Sequence, residues 1–514
     1  MSQASICIIT AIVLYLIGML LIGFYYAKKN ESTSDYFLGG RKLGPIVTAM
    51  SAEASDMSSY LLLGLPGLAY LSGIAEVSWT IIGLAIGTYV AWRIVARRLR
   101  RYTHITNSIT LPEFFSARFH DRKCILTAIA AIIIILFFIP YTAAGFAGCG
   151  KLFSAIFGMD YMTAMLISAL VIVGYTAAGG FLAASITDLI QSIIMSFVII
   201  CVACFAVSQA QGIHSIIAHT NSLPGFLDMT ATYVESTGTE KPFGFMKIIT
   251  TLSWGLGYMG MPHILLRFMA IEDERKLSVS RRIACTWVTI SMAMVVLIGL
   301  AGKTMSANGL LPILSGSDSE TVIVHISDLL SQYGIIPAFM AGLVLSGILA
   351  STMSTADSQL LAAASSVSQN LLQETFKMKL TQRTSMIAAR MTVLIIAILG
   401  VLIAYDPKSS VFGIVSFAWA GFGAGFGPLV MCALFWKRTT LPGAIAGMIV
   451  GGLMTIIWKY LIAPLGDIFS IYELMPSFLI GLITIIIVSL MTKAPESQII
   501  KEFELAQSDE TLHH

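Results

Sequence analysis

Charged residues are scarce in this chain. Asp, Glu, Lys and Arg make up 11% of its 514 residues, against about 25% in typical soluble domains. This scarcity excludes an ordinary soluble fold, and a formal net charge of +3 is too small to indicate nucleic-acid binding. Hydrophobic residues make up 56% of the chain. They recur in runs of about 20 residues, which as a helix cross about 30 Å of hydrocarbon, so the sequence predicts an integral membrane protein.

Cysteine is also scarce, and the motifs of common enzymes are lacking. The seven cysteines are odd in number and lie mostly within apolar runs, which argues against a disulfide framework or a zinc site. The sequence has no HExxH, no GxxxxGKS or GxxxxGKT and no His-Cys cluster. A membrane enzyme is therefore disfavoured. The short tail after Lys493 offers no signalling domain for a receptor, and we expect its polar end, "EFELAQSDETLHH" at 502–514, to be flexible.

The apolar runs divide into thirteen predicted membrane spans. The first has no basic stretch before it and no small-residue cleavage site after it, so we expect a retained helix rather than a signal peptide. Several spans exceed the minimum length, which permits a tilt or a break. The predicted spans are 6–27, 44–73, 75–96, 124–153, 161–180, 181–208, 243–268, 283–304, 335–370, 385–404, 410–436, 440–462 and 473–492.

Lys and Arg are concentrated in alternate connections between these spans. Cytoplasmic loops carry an excess of basic residues, so this set is predicted to be cytoplasmic, with the N-terminus outside and the C-terminus inside. We interpret the Arg-rich run at 97–101 as a consequence of this topology rather than as a nucleotide or lipid site. The basic set comprises Lys28, Lys29, Arg41, Lys42, Arg97, Arg98, Arg100, Arg101, Arg118, Arg122, Lys123, Arg275, Lys276, Arg281, Arg282, Lys377, Lys379, Arg383, Lys437, Arg438, Lys493 and Lys501.

Polar residues at membrane depth usually face a cavity, a partner or an ion path. They are dense in the second span, "SAEASDMSSYLLLGLPG" at 51–67, and in the ninth, "STMST" at 351–355. The seventh span carries "WGLGYMGMPH" at 254–263. Transporters place ligands at interrupted helices, so we predict breaks in the second and seventh spans. Their separation of five spans would make spans 2–6 and 7–11 the halves of an inverted repeat.

A sodium ion needs about five or six hard oxygen ligands, which unwound carbonyls and hydroxyls supply. Ser354 and Thr355 offer such hydroxyls. The alternative is that these hydroxyls bond back to carbonyls of their own helix.

Five segments, in the same order and at similar spacing over nearly the whole chain, resemble the solute:sodium symporter family, and within it the sodium/proline symporter branch. They are "GGRKLGPIVTAMSAEASDMSSYLLLGLPG" (39–67), "YTAAGGFLAASITDLIQ" (175–191), "WGLGYMGMPHILLRFMA" (254–270), "LSGILASTMSTADSQLL" (345–361) and "FAWAGFGAGFGP" (417–428).

The resemblance implies an all-α integral membrane fold of about thirteen helices around a five-plus-five inverted-repeat core of broken helices. It implies a multi-pass plasma-membrane transporter in which Na⁺ entry drives uptake of a small amino acid by alternating access. L-Proline is the first substrate implied, and another small zwitterion, such as a betaine-like osmolyte, is the alternative. We expect Na⁺, the solute and lipid as partners, with no nucleic acid and no obligate protein partner. The single transporter domain, 1–514, would comprise 1–43, a first repeat 44–208, a second repeat 243–436, two further helices 437–492 and a cytoplasmic tail 493–514.

The resemblance also implies site residues, position by position. Sodium would be bound by three backbone carbonyls and two hydroxyls: those of Ala54, Met57 and Ser351, and of Ser354 and Thr355. An aromatic pocket for the solute would be formed by Tyr60, Tyr141, Trp254, Tyr258 and Pro262, although each could be core packing. Coupling or the ion path would involve Asp56, Ser58, Asp188 and Arg41. A helix cap is the alternative for Asp56, and a salt bridge or interface anchor the alternative for Asp188 and Arg41.

Five positions depart from the pattern of the resembled branch. Ser59-Tyr60 stands where Gly-Trp is usual, Met261 where Gln is usual, and Ser351 where Ala is usual. The changes at 59, 60 and 261 fall on or beside the expected pocket, so they bear on whether proline is the substrate. Glu53 replaces a small or neutral residue. We favour a polar contact between helices for it over a charge beside the permeation path.

Overall fold

The computed structural model describes residues 3–27 and 37–508. Lys28, Lys29 and the last six residues of the predicted tail lie outside the described residues. The helices are α1 (Gln3–Ala27), α2 (Pro45–Ser59), α3 (Leu65–Ser72), α4 (Ala75–Val90), α5 (Ala96–Ile105), α6 (Leu111–Arg118), α7 (Ile125–Phe157), α8 (Tyr161–Gln209), α9 (Ile213–Asn221), α10 (Phe245–Leu252), α11 (Pro262–Ala270), α12 (Leu277–Ala307), α13 (Val322–Ser331), α14 (Ile335–Ser365), α15 (Gln382–Ile403), α16 (Val411–Phe435), α17 (Leu441–Ile457), α18 (Leu474–Met491) and α19 (Ser497–Gln507).

Shorter elements connect or extend these helices. Two strands, β1 (Ala231–Val234) and β2 (Thr239–Pro242), form an antiparallel hairpin in which Ala231 pairs with Pro242. The π-helical segments are Tyr60–Gly64, Ala91–Val95, Ser366–Thr375 and Trp458–Ile462, and the 3₁₀ segments are Gly39–Arg41, Ser253–Met259, Glu274–Lys276, Gly316–Thr321, Ala463–Leu465 and Asp467–Phe469.

Within the described residues, ten helices are long and apolar enough to cross a membrane. The thirteen predicted spans are consistent with these ten. At the places of the other three lie two interrupted helices, 45–72 and 245–270, and the first part of α8, Tyr161–Gly174. Gly180, with φ 73° and ψ 175°, interrupts α8 between this part and the long span Gly180–Gln209. The all-helical membrane architecture expected from composition is confirmed.

Both predicted helix breaks are present. In the first, Ser58 leaves the helical region with φ 48° and ψ −168°, and the chain then passes through a π-helical turn before Pro66 restarts a regular helix. In the second, Ser253–Met259 tightens to a 3₁₀ helix, and Met261 is extended before Pro262 begins α11. Proline suits the first turn of a helix because its missing N–H would be unpaired there anyway. Each break therefore frees backbone groups deep inside the protein.

A seam of glycines holds the second break against α4. A Cβ added at Gly83 would collide with the carbonyl of Leu252, and one added at Gly87 would collide with the carbonyl of Gly255. Gly255 in turn faces the carbonyl of Gly83. Small residues allow helices in membranes to approach this closely. The unwound segment is thus in direct backbone contact with α4.

A buried ion pair ties three elements together at one end of the bundle. Lys151 Nζ in α7 lies 2.6 Å from Glu320 Oε2 in the 316–321 segment, with 7% and 5% of the two side chains exposed. Lys151 also donates to the carbonyl of Ser409 at 2.8 Å. Glu320 accepts hydrogen bonds from the backbone N–H groups of Val411 and Phe412, at 3.1 Å each. A carboxylate at a helix N-terminus is stabilised by the free N–H groups and the helix dipole, so Glu320 fastens the start of α16.

The expectation of a flexible segment at 502–514 is wrong for residues 502–508. Most of these residues belong to α19, whose Phe503 is 4% exposed and lies under the guanidinium of Arg118. Glu502 Oε2 lies 2.8 Å from His120 Nε2, and the Ser508 carbonyl accepts a hydrogen bond from Arg101. The helix is ordered because its apolar face is buried and its charges are paired.

Candidate functional site

The proposed sodium ligands lie where the first break meets α14, which packs against α1, α2, α7 and α8. Ser354 Oγ donates a hydrogen bond of 2.8 Å to the carbonyl oxygen of Ala54 and lies 3.2 Å from that of Ser351. Thr355 Oγ1 donates to the carbonyl of Ser351 at 3.1 Å. The hydroxyl of Ser351 instead bonds to Ile348 within its own helix. The structure thus brings together Ala54, Ser351, Ser354 and Thr355.

Met57 lies at the same break, 1% exposed. Its carbonyl accepts a hydrogen bond from the backbone N–H of Tyr60. The set of five predicted donors consists of neutral hard oxygens, which suits a monovalent hard cation better than a divalent one. The predicted alternative, bonding back to the same helix, is also seen for both hydroxyls, at Ser351. Both arrangements use the same atoms, because the hydroxyl oxygens keep lone pairs free when their protons are donated.

Asp56 is the centre of a second buried polar group. Tyr258 donates its hydroxyl proton to Asp56 Oδ2 at 2.5 Å, and Tyr141 donates to the backbone carbonyl of Asp56 at 3.1 Å. Ser58 Oγ accepts a hydrogen bond from the backbone N–H of Tyr60 at 3.1 Å. The predicted coupling residues Asp56 and Ser58 are therefore brought together with two residues predicted to line the pocket.

An aromatic layer lies beside this group. Tyr60 stacks on Trp254 with ring centroids 5.3 Å apart and on Phe412 at 5.6 Å. Trp254 stacks in turn on Tyr472 at 5.1 Å, and its carbonyl accepts a hydrogen bond from Trp419 Nε1. On the far side of the layer, a cavity of about 270 Å³ contains the charged residues Glu76, Lys247, Lys459 and Glu473.

Sequence reasoning missed Phe412, Trp419 and Tyr472 as members of this layer. Trp419 lies in the family-like segment "FAWAGFGAGFGP", but nothing in its spacing relates it to the second span. Pro262, which was predicted to line the pocket, is buried at the first position of α11. Tyr60 and Trp254 are in contact as expected. Tyr141 and Tyr258 are joined to each other through Asp56, and the ring of Tyr258 meets the layer at Trp419.

Asp188 lies in a buried ion pair that links four elements. Its Oδ2 accepts hydrogen bonds from Ser51 Oγ at 2.7 Å and from Arg267 Nη2 at 3.0 Å. Arg267 also donates to Ser51 Oγ and to Ser358 Oγ. The salt bridge given as an alternative for Asp188 is therefore present. Arg267 was not singled out from the sequence, although a buried Arg in "MPHILLRFMA" is itself a signal for a polar partner.

Arg41 is an anchor between segments. Its guanidinium donates to the carbonyls of Met269, Thr103 and Ser108 at 2.7–2.9 Å. Burial and the neighbouring Arg100 lower the pKa of Arg41 to about 10, which leaves it protonated at neutral pH. These contacts match the anchoring alternative and place Arg41 in a cluster separate from Asp56.

Glu53 makes the interhelix contact that the sequence favoured. Its Oε1 accepts a hydrogen bond from Trp92 Nε1 at 3.1 Å, and 1% of the residue is exposed. Oε2 has no hydrogen-bond partner among the described residues. Asp56, three residues on, is bonded to Tyr258 instead. The two carboxylates therefore have separate partners.

Comparison with known proteins agrees with this geometry. The sequence profile of the sodium:solute symporter family matches residues 36–451. The sodium/proline symporter of Escherichia coli (strain K12) is 39% identical over 503 residues, covering 97% of this chain and 95% of the relative. The osmoregulated proline transporter of Bacillus subtilis (strain 168) is 39% identical over 492 residues, covering 96% of each chain.

Solved structures share the fold. A Na⁺-coupled sialic acid symporter, in a substrate-bound outward-open state, superposes with a TM-score of 0.76 at 18% identity, over 95% of this chain and 99% of the other. A nucleobase-cation-symport-1 family transporter superposes with a TM-score of 0.55 at 13% identity, over 93% of this chain and 99% of the other. The fold class implied by the sequence resemblance is confirmed, and so is the resemblance itself. The chain belongs to the sodium:solute symporter family.

Proposed function

We propose that this protein is a secondary active transporter that couples Na⁺ entry to the uptake of a small amino acid, with L-proline as the first candidate. Sodium coupling follows from the family, and proline is named in the curated relatives from Escherichia coli and Bacillus subtilis. The observation that carries the proposal is the contact of Ser354 with the Ala54 carbonyl. This contact supports the proposal because it brings a hydroxyl of α14 and a carbonyl of α2 within 2.8 Å of each other.

In this proposal, Na⁺ binds to the carbonyls of Ala54, Met57 and Ser351 and to the hydroxyls of Ser354 and Thr355. An ion held by oxygens of both α2 and α14 stabilises the arrangement in which the broken helix lies against α14, because its binding energy is available only there. Ion binding thereby favours one conformation over the other. Arg41 and Asp188 would keep the surrounding segments in place, and Asp188 with Arg267 would border the ion's exit.

The solute would bind between Asp56 and the aromatic layer. Apolar parts of a small zwitterion pack on the faces of Tyr60 and Trp254, while its ammonium group is attracted to Asp56 and its polar atoms to the hydroxyls of Tyr141 and Tyr258. Ser58 would fix the turn between Asp56 and Tyr60, because its hydroxyl accepts a hydrogen bond from the backbone N–H of Tyr60. Pro262 would border the pocket from the second break. We assign the chain to transport, with no enzymatic activity, nucleic acid or obligate protein partner.

A different small zwitterion is the second candidate, and specific residues favour it. The hydroxyl of Tyr60 is buried without a hydrogen-bond partner among the described residues, so it can bond to a solute that has an extra polar group. Met261, which is fully buried, supplies a flexible thioether instead of an amide. These two positions lie beside the pocket and depart from the proline-symporter pattern.

Uptake of labelled L-proline into proteoliposomes under an imposed inward Na⁺ gradient tests the proposal. We expect accumulation that requires the gradient and collapses when the gradient is dissipated. Absence of Na⁺ stimulation for every solute in a panel of amino acids and betaines would reject sodium coupling. Stimulated uptake of another member of the panel, but not of proline, would reject proline alone.

The proposed topology follows the basic residues. The protein would span the plasma membrane, which in bacteria with two membranes is the inner membrane. Its N-terminus would lie outside and its C-terminus inside. Residues 44–208 and 243–436 would form the two repeats, flanked by 1–43, 437–492 and the tail 493–514. This division into two repeats is supported by the two helix breaks. They lie at Ser58 and at Ser253–Met259, which are corresponding places in the two halves.

A further inference from the structure

A groove opens on the outer surface of the bundle between α8 and α12. Its volume is about 530 Å³, and apolar side chains form most of its wall. Ile200 and Ile290 are more than half exposed, whereas Met50 of α2, at 8%, forms its buried side. Trp287 is fixed in the wall because its Nε1 donates to Ser196 Oγ at 2.8 Å. The groove is thus a preformed apolar channel on the lipid-facing surface.

One of the side chains that line this groove is a cation, the guanidinium of Arg282. Arg282 is exposed, lines the groove, and makes no ion pair or hydrogen bond in the part of the chain that the structure describes. Its basic neighbours are engaged: Arg275 pairs with Asp273 at 2.8 Å, Lys276 pairs with Glu272 at 2.6 Å, and Arg281 lies over the ring of Tyr89. The guanidinium of Arg282 is therefore available to a negatively charged ligand.

The length of the groove matches one membrane leaflet. Arg282 and Met294 line it along α12, and their separation of twelve positions corresponds to about 18 Å of helix rise. Half of the hydrocarbon thickness of a bilayer is about 15 Å. Arg282 lies near the start of α12, where Ser280 bonds to the carbonyl of Pro45 at the start of α2. The cation therefore lies at one end of an apolar channel as long as one layer of acyl chains.

We propose that this groove is a binding site for an anionic phospholipid. Its phosphate binds to Arg282, and one acyl chain lies along Ile199, Ile200, Ile290 and Met294, with Met50 beneath it. Basic positions between transmembrane helices bind anionic head groups, and methionine side chains adapt to flexible apolar ligands. A neutral phospholipid lacks the net charge that would neutralise Arg282.

A larger lipid-facing cavity provides a contrast. It measures about 820 Å³ and is lined by apolar residues of α7, α15 and α16, with Lys459 as its basic residue. Lys459 Nζ, however, lies 3.2 Å from Glu473 Oε1. Its charge is already compensated, so this cavity accepts acyl chains without selecting an anionic head group.

Quenching of Trp287 by brominated lipids tests the proposed site. The full-length protein is placed in nanodiscs that contain phosphatidylglycerol or phosphatidylcholine with brominated chains, at equal mole fraction. The chain has seven Trp residues, so the contribution of Trp287 is taken as the difference between the wild type and Trp287→Phe. The variants are Arg282→Gln, the charge-conserving Arg282→Lys, and Arg275→Gln as a matched loss of a paired surface cation.

We expect brominated phosphatidylglycerol to quench Trp287 more than brominated phosphatidylcholine does. Arg282→Gln should weaken the preference for phosphatidylglycerol over phosphatidylcholine about fivefold. This is the size of effect expected for one basic residue near a membrane surface. Arg282→Lys and Arg275→Gln should retain the preference. Equal quenching by both lipids, no quenching assigned to Trp287, or an unchanged preference in Arg282→Gln would each overturn the proposal. None of these readouts depends on transport.

Discussion

Ser354 and Ala54 are 300 residues apart in the chain, and the hydroxyl of the first donates a 2.8 Å hydrogen bond to the carbonyl of the second. Ala54 lies one turn before Ser58, where α2 leaves the helical region. A carbonyl oxygen has two lone pairs, so it can accept from a neighbouring hydroxyl. The contact therefore joins α14 to α2 beside its interruption.

Replacement of Ser354 or Thr355 by Ala should weaken the apparent affinity for Na⁺. A hydrogen bond or ligand contact to a charged group contributes about 1.5–3 kcal/mol, which corresponds to roughly a tenfold loss or more. Sodium-dependence curves of uptake in proteoliposomes measure the effect. Ser351→Ala is the control, since only its carbonyl is proposed to bind the ion and its hydroxyl bonds to Ile348. An equal loss in the control would contradict the assignment of the two hydroxyls.

Tyr60→Trp should alter the choice of solute and preserve the sodium requirement. The ring of Tyr60 stacks between Trp254 and Phe412 next to Asp56, so a larger ring without a phenol hydroxyl changes the shape and polarity of the pocket. A competition panel of amino acids and betaines against labelled substrate measures the shift. Tyr333→Trp, the same change at a ring that is 57% exposed, should have no effect. If the panel is identical for Tyr60→Trp and the wild type, the pocket has been placed wrongly.

Removal of either partner of the Lys151–Glu320 pair should destabilise the protein strongly. Leaving one buried charge unpaired typically costs about 3–5 kcal/mol, and Glu320 would also cease to cap α16. Lys151→Met and Glu320→Gln should each lower the unfolding temperature in detergent. The decrease in the double variant should be smaller than the sum of the decreases in the two single variants. Lys437→Gln is the matched control, because its pair with Glu504 is 62% and 57% exposed and such pairs contribute at most about 1 kcal/mol. Additive losses in the double variant would argue against a coupled pair.

Glu113 should make the stability depend on pH. Burial and the nearby Glu374 raise the pKa of Glu113 from 4.5 to about 8. A carboxyl whose pKa is raised by folding stabilises the fold while protonated, so the contribution is complete below pH 4.5 and is lost as the pH rises through about 8. The unfolding temperature should therefore fall over this window, and fall less in Glu113→Gln.

The glutamine variant keeps the local cap, because either residue can accept from the N–H of Thr110 in a capping box. A pH profile that is the same in both proteins would show that folding does not raise the pKa of Glu113. If Glu113→Gln lowers the unfolding temperature equally at every pH, the decrease would instead reflect damage to the cap.

Membrane class and helix breaks were predictable because each leaves a local mark. Apolar run length marks the spans, and the serines and glycines near Ser58 and Gly255 mark the interruptions. The aromatic layer was only half predictable, since Phe412 and Tyr472 meet Trp254 through tertiary packing that has no local period. Arg267 was overlooked for a similar reason, because its partners lie on three other helices.

The order of the C-terminal helix, by contrast, was available from the sequence. Ile499, Phe503 and Ala506 recur at helical spacing, and all three are buried against the protein. This is the pattern of an amphipathic helix. It was overlooked because polar residues dominate the surrounding tail, and composition outweighed periodicity.

The glycine seam between α4 and the unwound segment 253–259 has a mechanical consequence. Where side chains separate two helices, rotamers can change and absorb a displacement; where carbonyls touch Cα atoms, nothing between them can yield. At Gly83, Gly87 and Gly255 no side chain therefore separates these two elements. A displacement of Trp254 or Tyr258 by a solute would reach α4 through this backbone contact. The Ala91–Val95 segment that follows α4 carries Trp92, the partner of Glu53. A single methyl group at Gly87 would push α4 away from the segment 253–259. It should uncouple the displacement of this segment from α4 while leaving both helices folded.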